Sequence, residues 1–164
     1  MNINWYPGHM KKSLDTIRES MKMVDIVCEI VDARIPVSSR NPVIDDIIKN
    51  FPRLIIFNKA DMADPKETKK WIEYFSKKNI EVIEYNSTRD NKTNDLYKTA
   101  KKVLTDLFEK RAAKNIQDKS IKMMIVGIPN VGKSTFINNV SKRKGAKVGN
   151  RPGVTRTNQW IKTS

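Results

Sequence analysis

The sequence predicts an α/β fold, a mostly parallel sheet with helices on both faces, and three observations predict it. Short apolar runs of strand length alternate with stretches of helical period. A Gly-x-x-x-x-Gly-Lys-Ser loop, Gly127 to Ser134, lies between one such run and a helix-forming stretch. An Asn-Lys-Ala-Asp element, Asn58 to Asp61, directly follows another.

The elements fall in a simple order. Met10, Leu14, Ile17, Met21 and Val24 keep helical spacing, and residues 26–31 form an apolar strand. A helix over 42–50 opens on Pro42, strand 54–57 follows, and a helix over 65–78 opens on Pro65. Strand 80–85 comes next. One longer amphipathic helix then carries Leu96, Ala100, Val103, Leu104, Leu107 and Phe108, and strand 121–126 feeds the glycine loop. The polar stretch 112–120 is the expected joint between the last two. Strands that alternate with helices imply a parallel sheet covered on both faces.

The glycine loop carries the chemistry. Gly127 and Gly132 permit a turn that aims successive N–H groups, including that of Val131, at a β-phosphate. Lys133 reaches the β- and γ-oxygens, Ser134 offers a hydroxyl to Mg2+, and Thr135 continues into a helix whose positive end faces the same phosphates. Strand, loop and helix occur in the order this motif requires, against the plainer alternative of a glycine turn. At the carboxyl end of its strand, Asp61 can accept two hydrogen bonds from guanine N1–H and the exocyclic amine, which adenine does not offer in that arrangement.

The pair resembles the phosphate loop and base-specificity element of GTPases, in reversed order. In ordinary small GTPases the phosphate loop comes first, so the chain resembles a circularly permuted P-loop GTPase domain. That resemblance implies that Asn58 ties the base edge to the phosphate loop, that the Lys59 stem lies along the base plane, and that Asn86, Ser87 and Thr88 stand where a loop contacts guanine O6. Residues 149–155 resemble the first switch, with Thr155 as a second hydroxyl ligand to Mg2+. A Pro-Gly turn is the alternative there.

GTPases also need an Asp-x-x-Gly element after the first switch, and the chain reaches Ser164 without one. The expectation is therefore an incomplete GTPase domain, 1–164, from a longer protein, binding GDP more securely than it turns over GTP. A second expectation follows. With the strand that bears Asp-x-x-Gly missing, strand 121–126 is left with an open edge, and the tail from about Arg143 is expected to be disordered or to pair with another molecule.

The N-terminal part narrows the resemblance. Trp5-Tyr6-Pro7-Gly8-His9-Met10 and Val31-Asp32-Ala33-Arg34-Ile35-Pro36-Val37-Ser38-Ser39-Arg40-Asn41-Pro42 closely resemble signature segments of the ribosome biogenesis GTPase A (YlqF-like) family. The matches run from Trp5 to Thr155, without the family's helical C-terminal domain. The resemblance implies a GTP-hydrolysing factor that docks on ribosomal RNA of the large subunit and leaves after hydrolysis. It also implies His9 as a catalytic histidine, for which a structural cap is the alternative, and Asn130 as a phosphate-loop asparagine associated with K+.

Composition sets the bounds. The 164 residues suit one domain, and a formal net charge of +14 favours a polyanionic partner, RNA first. Basic residues crowd Lys142, Arg143, Lys144, Lys147, Arg151 and Arg156, and a second series runs through Lys98, Lys101, Lys102, Lys110, Arg111 and Lys114; a solvated face is the alternative for either. Cys28 is alone in an apolar run, which leaves no disulfide and no thiolate metal site. No apolar run is long enough to span a membrane and no secretory segment opens the chain, so a cytoplasmic location is expected. Two other classes stay open: a basic RNA-binding protein with nucleotide as a structural or switch ligand, and a P-loop ATPase.

Overall fold

The computed structural model describes residues 8–86, 93–128, 131–143, 147–149 and 159–163. Its elements run α1 (Gly8–Met21), β1 (Ile26–Asp32), α2 (Pro42–Ile48), β2 (Arg53–Asn58), a 3-10 turn (Ala60–Met62) and α3 (Pro65–Ser76). They continue with β3 (Glu81–Glu84), α4 (Thr93–Val103), α5 (Thr105–Ala113), β4 (Ile121–Val126), α6 (Lys133–Arg143), β5 (Lys147–Gly149) and β6 (Gln159–Thr163). Helix starts follow local chemistry. Asn41 Oδ1 accepts from the Val43 amide at 3.0 Å and Asp64 Oδ1 from the Lys66 amide at 2.8 Å, each beside a proline that has no N–H to lose.

The expected single helix over Leu96 to Phe108 is broken at Leu104 (ψ 23°) into α4 and α5. Thr105 Oγ1 donates to the Lys102 carbonyl at 2.7 Å, a hydroxyl bond that competes with the helical ladder and bends it.

The strands form one six-stranded sheet in the order β3-β2-β1-β4-β6-β5. The first four are mutually parallel, and both of their faces are apolar. Ile26, Cys28, Ile30, Leu54, Ile56, Met123 and Ile125 pack with Leu96, Ala100 and Leu104 of α4 and with Phe136, Ile137 and Val140 of α6. On the other face Val27, Met124 and Val126 meet Leu14 and Ile17 of α1 and Ile44 and Ile48 of α2, while Val31, Ile55 and Phe57 meet Phe75 of α3. From β1 the chain steps outward to β2 and β3, then returns to the other side of β1 as β4. Strand order reverses between β1 and β4, and the crevice at their carboxyl ends is where such sheets bind ligands.

The expectation of an open β4 edge and an unpaired tail is corrected here. β6 pairs antiparallel with β4, Ile121 opposite Thr163 through Ile125 opposite Gln159, and β5 pairs with β6. An edge strand presents a row of unmatched N–H and C=O groups, and a strand-competent segment of the same chain satisfies them.

Candidate functional site

Gly127 leaves the end of β4 against the body of the sheet. A Cβ there would stand 2.9 Å from the Ile30 carbonyl oxygen of β1, so the loop's close approach requires glycine. At its far end Gly132 takes φ 89°, a conformation open to glycine, and its carbonyl accepts from the Phe136 amide at 3.0 Å as α6 begins. Between them Val131 is 3% exposed and packed into the core beneath α6, which pins the loop to the hydrophobic interior. Lys133, at the first position of α6, folds over the loop and donates through Nζ to the Gly127 carbonyl at 3.3 Å. Burial lowers its pKa to about 8 by stripping water from its ammonium. Ser134 and Thr135 are exposed on the first turn of α6, whereas Phe136 and Ile137 turn inward.

The second half of the site grows from β2. Asn58 is the last residue of the strand and 2% exposed. Its Nδ2 donates to the Val131 carbonyl at 2.7 Å, a bond between residues 73 positions apart. Lys59 takes the left-handed conformation, φ 59°, and the turn Ala60–Met62 presents Asp61 to solvent. The Ala60 amide donates to the Tyr85 carbonyl at 3.2 Å, so the turn is fastened to the end of β3, beside buried Asn86.

The structure thus brings Asn58 and Val131 into contact, sets Lys133 over Gly127, and hangs the Asp61 turn and Asn86 from adjacent strand ends of the same sheet edge. Ser87, Thr88, Asn130 and Thr155 lie outside the described residues. His9 falls in the first turn of α1, and its side chain also lies outside them. Among the described residues no group of three or more His, Cys, Asp or Glu side chains could hold a metal. The donors expected for Mg2+ suit that ion nonetheless, because it takes one or two protein oxygens and completes its shell with phosphate and water.

A third contributor, Asp32 with Arg34, was not singled out as site residues from the sequence. Arg34 pairs with Asp32 at 2.7 Å and Lys59 Nζ stands 3.5 Å from the same carboxylate, at the carboxyl end of β1. The available signal was an Asp-Ala-Arg at the end of an apolar strand, the edge on which the other two motifs lie.

A phosphate loop at the switch point of a parallel sheet, bonded to an Asn-Lys-Ala-Asp turn that precedes it in the chain, defines a circularly permuted P-loop GTPase domain. A family described as 50S ribosome-binding GTPase matches residues 122–164. Ribosome biogenesis GTPase A of Bacillus licheniformis is 49% identical over 99% of this chain and 57% of its own length. The protein of that name from Bacillus cereus is 49% identical over 99% of the chain and 55% of its own. The crystal structure of GNP-bound YlqF from T. maritima superimposes with a TM-score of 0.58 at 29% identity, over 85% of this chain and 52% of that one. Over nearly its whole length the chain is therefore similar to part of the ribosome biogenesis GTPase A proteins. It spans a little more than half the length of these relatives.

Proposed function

We propose that the chain is the guanine-nucleotide domain of a GTP-hydrolysing assembly factor for the large ribosomal subunit, acting in the cytoplasm. The observation that carries this reading is the Asn58–Val131 bond, which makes the base-reading strand end and the phosphate-binding loop one rigid unit. In it the amides of Gly127 to Lys133 receive the diphosphate, Lys133 supplies a cation that the phosphates recharge, and Asp61 selects guanine. Asn58 holds the two halves in register, with Lys59 along the base plane and Asn86, Ser87 and Thr88 on its far edge. Mg2+, when bound, neutralises charge on the β- and γ-phosphates, and Ser134 and Thr155 are the hydroxyls that would hold it. Asn130 is the residue that would meet K+. His9, at the start of α1, is the candidate to orient the attacking water, since imidazole both accepts and donates near neutral pH.

Partner choice rests on charge. A net +14 suits ribosomal RNA, and among the described residues no helix is long and apolar enough to cross a membrane. The same charge supports the second reading, an RNA-binding protein for which nucleotide is only a structural or switch ligand.

The first test is the unfolding midpoint with Mg2+ alone, with GDP and with ADP. A rise with GDP only supports guanine selection, and Asp61→Asn should transfer that rise to xanthosine diphosphate, whose added carbonyl needs a donor where guanine needed an acceptor. A rise with ADP would support the ATPase alternative instead. GTP turnover with and without large ribosomal subunits separates the two remaining readings, since stimulated hydrolysis excludes a merely structural nucleotide.

A further inference from the structure

The β1–β2 register sets Asp32 directly opposite Asn58, and the Ala33 amide donates to the Asn58 carbonyl at 2.8 Å. The two strands are therefore still paired where each gives way to its loop. The next residue of β2's loop, Lys59, holds a left-handed φ of 59°, uncommon for a residue with a Cβ, and its Nζ reaches back to within 3.5 Å of Asp32 Oδ2.

Asp32 is built to hold that cation still. Its side chain is 8% exposed. Oδ1 accepts from Arg34 Nε and from the Arg34 amide, both at 3.0 Å, and Oδ2 accepts from Arg34 Nη2 at 2.7 Å. Its own amide donates to Ser39 Oγ at 2.9 Å, which closes the loop that follows β1. Arg34 beside it keeps the Asp32 carboxyl down at about 2, so the group is charged at any pH at which nucleotide binding is measured.

We infer that Asp32 is a positioning residue for the guanine base, fixing the Lys59 ammonium so that the lysine stem is held for the base plane before nucleotide arrives. A lysine stem is rich in rotamers, and ordering it only on binding would weaken the complex; ordering it in the folded protein removes that cost from the binding step. Arg34 fills the other side of the carboxylate and keeps it from turning away. This inference rests on the proposed reading of Lys59 as the residue that lies along the base.

The test is a double-mutant cycle on GDP affinity, measured by calorimetry on the whole 164-residue chain with Mg2+, using Asp32→Asn, Lys59→Met and the pair. Each single change is expected to weaken GDP by about tenfold, and the double change to be no worse than Lys59→Met alone. Additive losses, about a hundredfold together, would overturn the inference. Arg34→Ala separates a general loosening of the loop: it should weaken GDP less than Asp32→Asn does, and an equal loss would overturn the positioning role. Should Asp32→Asn fail to fold by its nucleotide-free unfolding curve, Asp32→Glu keeps the charge and Arg34's partner while displacing the carboxylate. It should weaken GDP in the Lys59 background and leave it unchanged in the Met background, and equal losses in both would overturn the inference. A parent chain that does not bind GDP, or a Lys59→Met variant that binds like the parent, removes the reading of the site itself. Loss with Lys59→Met but none with Asp32→Asn removes only the role of Asp32.

Discussion

The side-chain amide of Asn58 and the carbonyl of Val131 meet at 2.7 Å at the point where strand order reverses. Both groups are buried, so neither has ready access to water, and each is positioned by an element the other does not belong to: Asn58 by its pairing with Asp32 across β1 and β2, Val131 by its packing under α6. The bond therefore reports the relative placement of two halves of a site that the chain visits far apart.

Asn58→Ala removes that report and leaves a buried carbonyl without this donor. The expected loss of stability is about 1–3 kcal/mol. GDP affinity should fall further than stability alone explains, because the phosphate loop and the Asp61 turn lose their common register. Urea unfolding paired with GDP titration checks both, and unchanged GDP affinity in a folded variant would refute the coupling.

Gly127→Ala tests the other constraint on the loop. The new Cβ would lie 2.9 Å from the Ile30 carbonyl oxygen and 3.2 Å from Val131 Cγ2. The first neighbour is backbone in mid-strand and has no rotamer to give, so the loop must move off β1. Overpacking of this kind costs about 1–3 kcal/mol, and the shift should weaken GDP by tenfold or more because the loop amides are re-aimed. Retained GDP affinity, measured by calorimetry, would mean that the loop binds without resting on β1.

Much of this site was legible because its parts are local. The glycine loop and the Asn-Lys-Ala-Asp element each declare their chemistry within a few residues, and the apolar runs before them place both at strand ends. Their meeting could be expected only through resemblance, because it depends on a register between β1, β2 and β4 that no short window contains. Asp32 and Arg34 went unassigned for the same reason: the carboxylate acquires its role from Lys59, 27 positions away by number and adjacent only through strand pairing. The tail misled differently. It was expected to stay disordered or to pair elsewhere because the place beside β4 was kept for a strand bearing Asp-x-x-Gly, whereas β6 takes that place itself. The break at Leu104 was hidden because Thr105 leaves the apolar period intact while its hydroxyl disturbs the backbone.

Arg40 should prove a stability residue whose loss is felt at the site. Its guanidinium donates to both carboxylate oxygens of Glu29, at 2.8 to 3.1 Å, and to Asp45 at 2.6 Å, and it lies 5.3 Å from the Phe75 ring centroid. Glu29 sits in the middle of β1 with its side chain 3% exposed. Arg40→Met strands that carboxylate and should cost about 3–5 kcal/mol, while adding Glu29→Gln should recover part of the loss. Thermal or urea unfolding of the two variants checks this, and equal stability of the single and double variants would show that the buried charge is not what Arg40 compensates.

The pH dependence of nucleotide binding should be set by Lys133. Burial lowers its pKa from 10.5 to about 8 in the nucleotide-free fold. The unfolded chain therefore holds more protons than the folded one between about pH 8 and 10.4, so burying this lysine costs stability at neutral pH and the cost is relieved as pH rises through that window. Binding reverses the sign. A diphosphate over the ammonium favours the charged form and raises the pKa, so above pH 8 the lysine must take up a proton as GDP binds. GDP affinity should then fall with rising pH, approaching about tenfold per unit above pH 8, while guanine N1 is still protonated. Calorimetry in two buffers of different ionisation enthalpy should show net proton uptake at pH 8.5, a value above the site's pKa of about 8. Lys133→Met should weaken GDP at pH 7 and abolish that uptake. Uptake that persists in the Met variant would assign the proton to another group and leave Lys133 charged throughout.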